Sequence, residues 1–125
     1  MLPRAHRVRR PVDFRVVLRR GRKAGRRRLS VHALTGTDPT APARAGFVVG
    51  RSVGNSVERH RLTRRLRHLV ADRLAVLPGD TALVVRAHPA AAGSSSAELA
   101  DDLDAALRRL GLVPRLHVVG PEAGA

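Results

Sequence analysis

The chain has no cysteine, no tryptophan and no tyrosine, and its only aromatic carbocycles are Phe14 and Phe47. Without cysteine there can be no disulfide and no thiolate metal site. At 125 residues one hydrophobic core suffices without either. With two phenylalanines, the ring platforms on which single-stranded nucleic-acid binders commonly stack bases are nearly missing. Any stacking would fall to Phe14, to a histidine or to guanidinium planes. No apolar run approaches the roughly 18 residues of a membrane span. The N-terminal segment MLPRAHRVRRPVDF is basic but lacks the apolar stretch of a secretory signal. The expectation is a soluble cytoplasmic protein with no membrane partner.

Acidic residues are also scarce where cations are dense. Residues 1–73 hold 20 Lys and Arg against 4 acids (Asp13, Asp38, Glu58 and Asp72), a net of +16. Residues 74–125 hold 4 against 6, a net of −2, and the two sum to the formal +14. The first part therefore carries the electrostatic footprint and the second reads as scaffold. Every cation except Lys23 is arginine.

The most informative stretch is residues 46–73, GFVVGRSVGNSVERHRLTRRLRHLVADR. It begins as an apolar strand, turns at Val53-Gly54-Asn55 and continues as an amphipathic helix. Leu62, Leu66, Leu69, Val70 and Leu74 form the buried stripe of that helix. Arg59, Arg61, Arg64, Arg65 and Arg67 fall within nine residues, with His60 and His68 interleaved. His60, Arg64, Arg67 and His68 lie opposite the stripe, with Arg61 and Arg65 beside them. A solvated helix face usually mixes signs at i, i+4 spacing; here Glu58 and Asp72 stand at the ends with no acid between. So many guanidinium groups on one surface repel each other unless they face phosphates, to which each can fork two hydrogen bonds.

Around this segment the pattern gives a mixed α/β chain. Residues 1–10 read as a mobile or RNA-ordered basic arm. Phe14, Val17 and Leu18 recur at i, i+3, i+4 on a short helix, with Pro11 in its first turn and Gly21 at its end. Residues 26–34 alternate, Leu29, Val31 and Ala33 against Arg28, Ser30 and His32, as a half-buried strand does. Residues 35–43 form a turn-rich loop. Residues 44–51 read as a second strand whose nearly continuous apolar character places it centrally in a sheet. Gly54-Asn55 is expected to supply positive-φ geometry at the strand-to-helix turn. After a turn at 78–80, residues 81–86 form a third strand. Ser95-x-x-Glu98 is a capping box opening a helix striped by Leu99, Leu103, Ala106, Leu107 and Leu110. Glu98, Asp101 and Asp102 complement its dipole. Residues 115–119 could be a short strand or a tail. The segments group into a basic arm (1–10), one α/β domain (11–111) and a C-terminal tail (112–125). With two helices long enough to cover one sheet face, the other face is expected to be partly open, a groove beside the basic helix.

A search for catalysis finds none. His6, His32, His60, His68, His88 and His117 include no i, i+4 pair and no HExxH. Two histidines could in principle cleave RNA by acid–base catalysis, but a structural or RNA-contacting role suits this spacing better. Ser94, Ser95 and Ser96 lack a Gly-x-Ser-x-Gly context and read as caps. Gly50-Arg51-Ser52-Val53-Gly54 lacks the Gly-Lys-Ser/Thr ending of a phosphate loop.

Residues 49–67, VGRSVGNSVERHRLTRRLR, resemble the protein component of bacterial ribonuclease P, with its strand, its Val-Gly-Asn turn and its helix bearing an Arg-Asn-Arg box. Weaker similarity runs back to Asp13-Phe14 and Gly21 and forward to the final helix, so that residues 7–110 are covered. The resemblance implies a two-layer α/β sandwich in the order α-β-β-(β)-α-β-α with a left-handed β-α-β crossover through the basic helix. It also implies a ribonucleoprotein endoribonuclease in which the protein is an accessory subunit. The protein would bind the catalytic RNA and the 5′ leader of precursor tRNA, while Mg2+ held mainly by the RNA supports the hydrolysis.

The RNA face would comprise Arg51, Asn55, Arg59, His60, Arg61, Arg64, Arg65 and Arg67. The leader cleft would comprise Phe14, Leu18 and His32, with Arg27 nearby. This chain departs from the family pattern in three places. His60 stands in place of the box Asn, Thr63 where Lys is common, and Leu18 and His32 where aromatics are usual. A basic RNA-binding module such as a ribosomal protein would share the charge without promoting cleavage. A helix-turn-helix DNA regulator would need base-reading Asn or Gln on the basic helix, and none follows Asn55.

Overall fold

The computed structural model describes residues 6–8, 11–36 and 42–112. Its elements run α1 (Pro11–Arg20), β1 (Arg22–Gly25), β2 (Leu29–Thr35), β3 (Arg44–Val48), α2 (Ser56–Leu74), β4 (Thr81–Ala87) and α3 (Ser96–Arg109). The four strands form one sheet in the order β1-β2-β4-β3. β1 pairs with β2, and β2 with β4, antiparallel; β3 pairs with β4 parallel, the two being joined by α2. This is the mixed sheet and crossover helix expected; of the three strands before α2, β1 is the one not read from the sequence.

Strand residues alternate between two cores. Leu29, Val31 and Ala33 of β2 and Leu83 and Val85 of β4 face the main core with Leu62, Leu66 and Val70 of α2 and Leu99, Leu103 and Leu107 of α3. On the other face, Ala82 and Val84 meet Val17, with Phe14, Leu18, Leu34 and Val48 packed around them. α1 therefore covers part of the face expected to be open. It also changes β2 from a half-buried strand into one whose residues 29–33 are all buried.

Three other expectations are corrected. The strand read from residue 26 begins at Leu29: Arg26 N–H donates to the Leu29 carbonyl at 2.8 Å and makes residues 26–28 the turn of a hairpin. The strand read as residues 44–51 ends at Val48, and Arg51–Val53 forms a 3-10 turn. β3 is not central but lies at the end of the sheet order. Its apolar run reflects cover from elsewhere: Phe14 lies against Gly46, Phe47 packs on the main core, and Val8 N–H donates to the Ala45 carbonyl at 2.9 Å. His6 Nδ1 lies 2.7 Å from the Ala43 carbonyl and Val8 is buried, so residues 6–8 of the arm lie along this edge. The segment 115–119 lies outside the described residues.

The basic and acidic parts of the chain meet at the β1–β2 turn. Asp102, buried on α3, accepts from Arg28 N–H at 3.0 Å, and its carboxylate lies 3.6 Å from the Arg28 guanidinium. Arg28 also pairs with Glu98 at 3.1 Å. At the far end of α2, Arg73 forks onto Asp104 at 2.8 and 3.0 Å. That bond holds the Arg73 guanidinium above its ordinary pKa against the opposing effect of burial.

Candidate nucleic-acid interface

α2 is set by its first turn. The Asn55 side chain accepts from Glu58 N–H at 2.8 Å and the Glu58 carboxylate accepts from Asn55 N–H at 2.9 Å, a reciprocal capping box. Asn55 is in ordinary extended backbone at φ −73°, ψ 177°. Its task at this turn is the cap, not the positive φ expected of it. The positive φ expected at this turn is supplied by Gly54, at +158°, where a Cβ would also collide with the Glu58 carboxylate.

From this start the 3.6-residue period buries Leu62, Leu66, Val70 and Leu74, with Leu69 half-buried beside them. It carries His60, Arg61, Arg64 and His68 to the exposed side. Arg59, Arg65 and Arg67, expected in solvent, are half-buried. Arg65 donates to the Ser94 carbonyl at 2.8 Å. The Arg59 Nε is buried without a hydrogen-bond partner, and the Arg59 carbonyl accepts from Thr63 Oγ1 at 2.8 Å. Arg51 is exposed on the 3-10 turn. Among the described residues none of Arg59, Arg61, Arg64, Arg65 and Arg67 lies within 4.0 Å of a carboxylate, whereas Arg26, Arg28 and Arg73 each do. Arg26, Arg28 and Arg73 thus have their charge compensated by carboxylates, whereas the α2 arginines do not, Arg65 bonding only to a carbonyl.

The second group of residues lies on the opposite sheet face. His32 pairs in register with Val84, and Gly46 with Val84 from the other side, so β2, β4 and β3 present His32, Val84 and Gly46 in one row. Phe14 and Leu18 of α1 lie on the same face. A Cβ at Gly46 would come within 2.5 Å of the Phe14 ring, so the glycine is what lets the ring lie on the sheet. His32 is 8% exposed and neither ring nitrogen has a partner. Burial, reinforced by the charges of Lys23, Arg86 and His88, pushes its pKa below 6.5, which keeps the ring neutral at neutral pH. Arg27 stands exposed on the β1–β2 turn.

The two groups meet at the β3 edge. A shallow depression of about 140 Å³ there is lined by Phe14 of α1, by Gly46 and Phe47, by Thr63 and Arg67 of α2, and by the arm. Sequence reasoning overlooked Arg86, which is exposed on the cleft face and follows the buried run of β4. It also overlooked the Ser30 hydroxyl, 2.6 Å from His88 Nε2. The lone charged position in the run TALVVRA was the available signal for Arg86. Nothing local marks the Ser30–His88 contact, which spans 58 residues.

Together these features define an α/β domain with an uncompensated cationic helix on one side of the sheet and an apolar, cation-rimmed cleft on the other. The family model described as Ribonuclease P matches residues 2–111, and the chain belongs to that family. A relative from Nocardioides sp., a ribonuclease P protein component, is 55% identical over 113 residues, covering 89% of this chain and 96% of the relative. One from Streptomyces bikiniensis, of the same name, is 54% identical over 117 residues, covering 88% and 95%. Among solved structures, the Staphylococcus aureus RNase P protein superposes with a TM-score of 0.76 at 19% identity, covering 86% of this chain and 96% of that one. The Thermotoga maritima RNase P protein, solved with 1-(4-fluorophenyl)-2-thiourea, gives 0.71 at 21%, covering 82% and 97%. At these identities the structures establish the fold.

Proposed function

We propose that this chain is the subunit of ribonuclease P that binds the catalytic RNA through the cationic face of α2 and the 5′ leader of precursor tRNA through the cleft between α1 and the sheet. The observation that carries the reading is the division among the arginines. Among the described residues Arg26, Arg28 and Arg73 have carboxylate partners, while Arg59, Arg61, Arg64, Arg65 and Arg67 of α2 have none within 4.0 Å. Uncompensated guanidinium groups on a rigid, core-anchored helix are complementary to a phosphate array, and releasing the counterions of that array supplies affinity. In the cleft, Phe14 offers a ring, and the buried, neutral His32 ring forms part of the floor beneath it. Arg86, exposed on the same face, offers charge to the strand's backbone.

The chain's own residues supply no step of the hydrolysis in this reading. Among the described residues no three His, Asp or Glu side chains come together as a metal site requires. Of the described acids, Glu58 and Glu98 serve in capping boxes and Asp102 and Asp104 bond to Arg28 and Arg73. Magnesium, in this reading, would be held by the RNA and would supply the hydrolytic chemistry there. The protein orients the leader and neutralises the phosphates brought together.

The test is binding of the full chain to the ribonuclease P RNA of its own organism at several salt concentrations. About eight phosphate contacts give log K against log salt a slope of roughly −6 to −7. Arg59→Ala with Arg61→Ala should flatten that slope by about 2 and leave the thermal transition in place. An unchanged slope and affinity in the double variant would mean that this face is only solvated.

A further inference from the structure

A pocket beside the basic helix shares Arg61 and Arg65 with the cationic face, but its floor and outer wall belong to neither surface above. It lies where the 3-10 turn after β3 and the loop after β4 pack against the first turns of α2, and its volume is about 170 Å³. Val53, Leu62 and Ala91 give it an apolar floor, Arg61 and Arg65 stand at its rim, and Ala92 and Gly93 form the outer wall. Apolar cavities of roughly 150 Å³ are known to take up a benzene ring, so the space suits one planar ring and not a helix or strand.

The walls are fixed before anything binds. Arg65 is held by its bond to the Ser94 carbonyl. Ser94 is buried and donates to the Ala90 carbonyl at 3.1 Å, and Ala91, Ala92 and Ser94 N–H groups each close a turn within the loop. Arg65 keeps further N–H donors, and Arg61 is exposed with no carboxylate within 4.0 Å among the described residues. Glu58, also at the rim, has one carboxylate oxygen engaged by Asn55 N–H, which leaves the other to accept from a base N–H.

We infer that this pocket takes one unstacked nucleobase of the RNA bound by α2, with the adjoining phosphate held by Arg61 and Arg65. The inference rests on the RNA-binding reading and adds the β4–α3 loop to the interface. The ring-sized apolar floor favours a base, and the uncompensated guanidinium groups at its mouth favour the phosphate attached to it. A helix of unpaired arginines alone would bind any polyanion. A helix with this pocket prefers RNA that presents an extrahelical nucleotide, because only an unstacked base can enter.

The probes are the mononucleotides AMP, GMP, CMP and UMP against ribose 5-phosphate, which shares the sugar and phosphate and lacks the base. In methyl and amide NMR of the full chain, at least one mononucleotide should shift the Val53 and Leu62 methyls and the Ala91–Gly93 amides saturably. Ribose 5-phosphate should move the Arg61 and Arg65 side-chain signals and leave the floor unmoved. Equal shifts of the floor with both kinds of probe, or none with any nucleotide, would overturn the inference.

The second arm fills the pocket from its exposed wall without removing a charge, using Ala92→Trp and, as a smaller filling, Ala92→Leu. Affinity for the ribonuclease P RNA should fall about tenfold in Ala92→Trp, the scale of one lost base contact, with the salt slope unchanged. Wild-type affinity in a folded Ala92→Trp would sink the pocket while leaving the cationic face intact. Failure of the wild-type chain to bind that RNA would sink the wider reading and the pocket with it.

Discussion

His32 shows how one residue of the cleft couples to pH. Its folded-state pKa is lowered, first by burial and then by Lys23, Arg86 and His88, so the unfolded chain takes up a proton more readily than the folded one. Above about pH 6.5 both states are neutral there and the residue adds no pH dependence. As pH falls below that value, the unfolded state gains protonation first and the fold loses stability. His32→Phe keeps a ring in place and removes the titration. Its melting temperature, measured from pH 7.5 to 5, should therefore lose ground more slowly than that of the wild type. Parallel curves for the two proteins would show that His32 is not the titrating group.

Gly46 acts by what it lacks. Because a Cβ there meets the Phe14 ring, Gly46→Ala must push the ring off the sheet or shift β3. Overpacking of this kind costs about 1–3 kcal/mol, measurable as a lower urea midpoint with unchanged m. Because Phe14 also lines the depression at the β3 edge, the same variant should weaken leader binding more than binding of the catalytic RNA.

Among the elements, the two long helices were the most legible part of the sequence. Their stripes are set by the 3.6-residue period, and the Ser95–Glu98 box sits where the spacing put it. Asn55–Glu58 forms the same box, although the residue was read as a turn former. β1 was invisible because RKAG is short, polar and exposed at three of its four positions; it becomes a strand only through pairing with β2. β3 was misplaced because an apolar run reports burial, and burial at a sheet edge can come from α1 and the arm as well as from neighbouring strands.

Asp102 was read from local spacing as a dipole partner, whereas its main contact is a backbone N–H 74 residues away. That contact leads to a separate expectation. Asp102→Ala leaves the Arg28 N–H without its acceptor and removes the anchor between the hairpin turn and α3. A loss of about 1–3 kcal/mol in unfolding free energy follows, with faster amide exchange in residues 26–30. A variant as stable as the wild type would mean that the turn is held by Glu98 alone.

For the molecule as a whole, net charge and partner class were readable from composition, while the sheet order was not. No local signal states that β4 inserts between β2 and β3, yet that order decides where function can sit. It sends α2 and α3 to one face and α1 to the other, and it brings the box and the cleft together only around the β3 edge. Of the candidate residues, Phe14, Leu18 and His32 share one sheet face and the α2 arginines share another surface. Arg27 belongs to neither and stands on the hairpin turn. The histidine and leucine in place of family aromatics leave Phe14 as the one ring of the cleft that can stack as an aromatic carbocycle.

The central claim, a protein that equips a catalytic RNA to mature tRNA, is tested most directly by reconstitution. The full chain is mixed with the ribonuclease P RNA of its own organism, at magnesium low enough that the RNA alone is nearly silent, together with precursor tRNA carrying a 5′ leader. The account predicts cleavage at the mature 5′ end that depends on the protein, and none by the protein alone. Cleavage rates that are the same with and without the protein would contradict it.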